Sequence, residues 1–180
     1  MNTSIKTLIL PLVGFVATLA FAPANASAAD EQAFIDGFSG SWVGSANVIK
    51  DSVPLQVNCR IVGQPTTNHI AIEGSCKLLM FSVPIAADIT YDPKSNRYSG
   101  TYIGSEVGPA RVSGRRNGSV LNLAVTWPRV INGDDKGRMT IKNSGDGGLR
   151  ITSFDNVVIG GGEEWTSDAK LVITRSVAEQ

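Results

Sequence analysis

A chain of 180 residues with sixteen basic and sixteen acidic side chains has the size of one domain and no bulk charge to draw it toward nucleic acid. One histidine and two cysteines are too few for a zinc cluster at the usual spacings, so neither a metal nor another cofactor is expected.

The first predicted element is Met1–Ala28. Lys6 gives it a positive start, residues 8–22 are mostly apolar, and Ala24-Asn25-Ala26-Ser27-Ala28 ends on an A-x-A pattern. Together these predict a cleaved signal peptide ahead of a single domain over 29–180. The apolar run is interrupted by Pro11 and Gly14 and falls short of the about 20 residues a bilayer core requires, which argues against a transmembrane anchor. A periplasmic or secreted location follows, where disulfides persist.

Next comes a short helix over Asp30–Phe38, with Ala33, Phe34 and Phe38 loosely on one side. From Ser41 onward the chain is rich in Val, Ile, Thr and Gly, and turn signals recur every eight to twelve residues. Trp42, Gly44, Ala46 and Val48 share a face of the first strand, and Leu55, Val57, Cys59 and Ile61 share a face of the second. Ile70, Ile72, Gly74, Cys76 and Leu78 follow, then Val83, Ile85, Ala87 and Ile89, then Tyr98, Gly100 and Tyr102. After the hairpin signal Asn117-Gly118, Leu121, Leu123, Val125 and Trp127 alternate with polar or small residues. Pro128–Lys136 reads as a loop, and Met139 with Ile141, Leu149 with Ile151, and Trp165 to Ile173 complete about ten strands.

The predicted fold class is all-β, an antiparallel up-and-down meander of about 8–10 strands that closes as a barrel, with a sandwich as the competing arrangement. A membrane-spanning barrel would need aromatic girdles and a polar interior, and aromatic residues make up 7% of the chain. In a hairpin through residues 63–68, Cys59 and Cys76 fall directly opposite each other on the core face, so a disulfide between them is expected.

Phe38-Ser39-Gly40-Ser41-Trp42-Val43-Gly44 resembles the G-x-W opening of the calycins: lipocalins, fatty-acid-binding proteins and avidins. The resemblance implies that Arg175, late in the last strand, packs over Trp42 in a structural closure. The rest of the chain is similar to small exported alphaproteobacterial proteins without an assigned activity. Nitrobindins open in a similar way and bind haem through a late histidine, whereas His69 lies early, at a hairpin, so haem ligation is not implied.

No G-x-S-x-G elbow is present to build a triad around His69, and Gly160-Gly161-Gly162 lacks the Lys-Ser or Lys-Thr of a phosphate loop. Asp134, Asp135 and Asp146 read as solvated turn residues, without calcium-loop spacing. Arg111, Arg115 and Arg116 suit either a guarded sheet edge or anion binding. No enzymatic constellation emerges. The barrel interior is then the expected functional surface, with Tyr98, Tyr102, Trp127 and Met139 as ligand-lining residues. The leading expectation is an exported, soluble barrel that binds a small hydrophobic molecule. The alternative is a non-enzymatic envelope structural, interaction or inhibitor-like protein with a solid core.

Overall fold

The computed structural model describes residues 28–50, 53–104, 107–131, 133–159 and 162–175, the segments 48–50 and 156–175 as backbone only. The expected signal peptide therefore lies outside the described residues, apart from Ala28. Helix α1 (Ala28–Asp36) precedes β1 (Gly40–Lys50), β2 (Val53–Gly63), β3 (His69–Leu78), β4 (Phe81–Asp92) and β5 (Arg97–Ile103). Then follow β6 (Ala110–Asn117), β7 (Val120–Ile131), β8 (Asp134–Asn143), β9 (Gly148–Ile159) and β10 (Gly162–Arg175).

Every strand pairs antiparallel with its neighbours in sequence, and β1 pairs with both β2 and β10, so the ladder returns on itself as a closed barrel. The period-two alternation explains which face turns inward: along β7, Leu121, Leu123, Val125 and Trp127 are buried, while Asn122 and Ala124 are exposed. In β2 the same rule buries Val57, Cys59 and Ile61. Cys59 and Cys76 are register partners joined by a disulfide. Closing a loop of 17 residues contributes about 3 kcal/mol by limiting the unfolded chain.

Sequence and structure part company in three places. The helix starts two residues earlier than expected and ends at Asp36, because the Phe38 N–H turns back to the Ile35 carbonyl at 3.0 Å and Gly40, at φ 113°, redirects the chain into β1. The expected loop Pro128–Lys136 is mostly strand: β7 continues to Ile131 and β8 begins at Asp134, with a register shift between Thr126 and Ile131 that absorbs the irregularity. Arg111, Arg115 and Arg116 guard no edge, since β6 is paired on both sides.

Strand glycines are explained by close approach rather than by vacant space. A Cβ on Gly100 would lie 1.9 Å from the Asp88 carbonyl oxygen, and one on Gly114 would lie 1.8 Å from that of Asn122. These positions let neighbouring backbones meet where the sheet bends.

Candidate functional site

The two ends of the barrel differ in chemistry. At the end where β1 starts and β2 finishes, α1 lies across the opening and buries Glu31, Phe34 and Ile35, and Phe38 beyond it is fully buried. Phe34 meets Phe38 edge-on at 5.3 Å between ring centres, and Tyr91 and Tyr98 lie 4.9 Å apart below them. Gln32 accepts the Asn68 N–H at 3.0 Å, tying the helix to the β2–β3 turn. The Trp42 indole donates to the Phe38 carbonyl at 3.1 Å.

Within this cap sits a buried polar cluster that the sequence reading missed. Tyr98 donates its hydroxyl to Glu31 Oε2 at 2.5 Å, and Arg116 Nε donates to the same oxygen at 2.9 Å, with the guanidinium 5.1 Å from the Phe34 ring centre. Burial, reinforced by the Glu31 carboxylate, holds the Tyr98 phenol far above its ordinary pKa. The signal in the sequence is parity: Arg116 falls on the inward face of β6 with Val112, whereas Arg111 and Arg115 fall on the outward one, and the Glu31 carboxylate of the helix receives it. The cluster clamps helix to barrel: its polar atoms satisfy one another.

At the other half of the interior the polar groups are placed differently. Trp127 and Met139, two of the expected lining residues, are buried there at 5% and 2% exposure. A Cβ on Gly137 would lie 3.0 Å from Trp127 Nε1, so the missing side chain is what admits the indole. Gly137 is the register partner of Asp155, and Met139 that of Ser153. Asp155 and Ser153 are both buried, on the same inward parity as Leu149 and Ile151. The Trp127 N–H is buried without an acceptor, an arrangement that costs about 1–3 kcal/mol unless a partner arrives. The indole is thus an unpartnered donor within the buried core that also holds Val125 and Met139.

The remaining expected residues fall elsewhere. Tyr98 belongs to the cap, and Tyr102 is half-buried on β5 beside Ala87 and Ala110. The four residues thus do not form one wall. Trp42 and Arg175 are directly opposed in the β1–β10 register, and the Arg175 side chain lies outside the described residues. His69 opens β3 with Nε2 3.2 Å from Asp88 Oδ1, an exposed-side pairing. Asp146 accepts the Gly148 N–H and Asp134 the Lys136 N–H, as turn-forming side chains do. A groove of about 130 Å³ over Ala71, Glu73, Ala86, Asp88 and Thr101 is below the size of an ordinary small-molecule site. Among the described residues no group of three His, Cys, Asp or Glu could hold a metal, and no helix is long and apolar enough to cross a membrane.

No family model matches the chain, and no curated protein does. Twelve solved chains match in fold. One, titled Crystal Structure of Rv2717c from M. tuberculosis, aligns with a TM-score of 0.57 at 12% identity, over 82% of this chain and 98% of that one. The likeness is one of fold.

Proposed function

We propose that this chain is an exported, calycin-like barrel that takes a small, largely apolar molecule into the half of its interior remote from α1. The buried, acceptor-less indole N–H of Trp127 carries the reading, because a folded protein gains by supplying that donor with a partner. Met139 and Val125 offer the apolar contact, and Ser153 and Asp155 the polar orientation. The disulfide fits an oxidising compartment, and the Trp42–Arg175 register fits a calycin closure. The expected ligand carries an acceptor for that donor, such as a hydroxyl, carbonyl or amide oxygen.

Native mass spectrometry of protein recovered from the exporting compartment, followed by organic extraction, tests this. The wild type should retain a small molecule, and Trp127→Phe should lose most of it. A consistently empty wild-type barrel that co-purifies with an envelope protein would instead favour the structural reading, for which the tightly packed cap half speaks.

A further inference from the structure

Five of the seven large apolar side chains exposed among the described residues cluster at the barrel end opposite α1. Leu79 and Met80 form the β3–β4 turn and are each 91% exposed, and Phe81 beside them is 69% exposed. Val53 opens β2 and Val130 lies near the end of β7, both at the same end and both more than half exposed. The turns at the α1 end, by contrast, are Gln64 to Asn68, Pro93 to Asn96, Gly118-Ser119 and Ser144 to Gly147, nearly all polar.

Backbone geometry marks the same contrast. Among the described residues, three other than glycine hold a left-handed φ: Asn68 and Asn96 at the α1 end, and Leu79 at 53° in the apolar turn. Asparagine suits that conformation and leucine does not. The turn therefore keeps a large apolar side chain at its tip against local preference. The tip projects from a hairpin and holds its apolar side chains out in solvent. One basic side chain stands beside it: Lys77 is exposed on β3 two residues before Leu79. An apolar wedge with a lysine at its shoulder matches the boundary between acyl chains and phosphate headgroups.

We infer that the β3–β4 tip of the barrel docks on a phospholipid bilayer, with Leu79, Met80 and Phe81 entering the headgroup boundary and Lys77 meeting a lipid phosphate. The inference stands apart from the ligand reading, since it concerns outward side chains and would survive an empty interior.

The test uses the chain as an expressing cell exports and processes it, with an environment-sensitive fluorophore placed on Met80→Cys or, at the polar end, on Ser95→Cys. Vesicles of phosphatidylethanolamine and phosphatidylglycerol should shift the emission of the label at 80 to the blue, and acyl-chain quenchers should reach it. The label at 95 should not respond. In vesicle flotation, Leu79→Asn with Met80→Ser and Phe81→Thr should lower bound protein by roughly tenfold. Unchanged emission at 80, an equal shift at both labels, or a lipid-independent shift accompanied by dimer formation would each overturn the proposal.

Discussion

The α1 end and the opposite end of this barrel are built from the same ten-strand meander but solve different problems. At the first, the features converge on closure: aromatic rings pack edge-on and tilted between helix and barrel, and Glu31 satisfies both Tyr98 and Arg116. At the second, an indole donor lacks its acceptor inside the barrel, and apolar side chains stand in solvent outside it. Among the described residues the buried side-chain polar atoms at the α1 end are paired, and a donor left unpaired at the other end points to where an external partner belongs.

The contrast is sharpened most by Glu31→Ala. Removing this carboxylate leaves the Arg116 guanidinium and the Tyr98 hydroxyl without their shared acceptor, and the loss should be about 3 kcal/mol by denaturant unfolding. If the substitution proves neutral, the cap is not the stable half. Tyr98→Phe is milder, about 1.5 kcal/mol near neutral pH. Its pH dependence has a definite sign. The folded phenol holds its proton above the ordinary value, whereas the unfolded one releases it near pH ~10. Its stabilising contribution is therefore complete below that pH and lost as pH rises past it. The gap between wild type and Tyr98→Phe should be constant through neutral pH and narrow in alkali, as followed by urea midpoints across the range. At the other end, Leu79→Asn with Met80→Ser should shift stability by no more than about 0.5 kcal/mol, since those side chains contact little and asparagine suits the φ of position 79. A larger loss would show that the turn is a structural part of the barrel.

Much of this architecture can be read from alternation alone. The inward set of β7, the hairpin placing Cys59 against Cys76, and the meander itself follow from a period of two and well-spaced turn residues. Pro128 misled because proline commonly ends a strand, yet the register shift in β7 tolerates it. The cap was hidden for a different reason. Glu31 and Arg116 are 85 residues apart, and nothing local in either segment announces that a helix will fold over the barrel mouth. The indole site was half visible: Trp127 and Met139 stood out by size, but Gly137, Ser153 and Asp155 matter through cross-strand register. Bulk charge also concealed the tip, because a balanced total says nothing about where apolar side chains gather.

Trp42 and Trp127 give the protein an optical probe in each half. The Trp42 N–H is already bonded to the Phe38 carbonyl, while that of Trp127 has no acceptor. An indole whose N–H gains an acceptor emits at longer wavelength. In a Trp165→Phe background, filling the interior would therefore move one component of the emission and leave the other still, so the molecule itself can signal which half has been occupied.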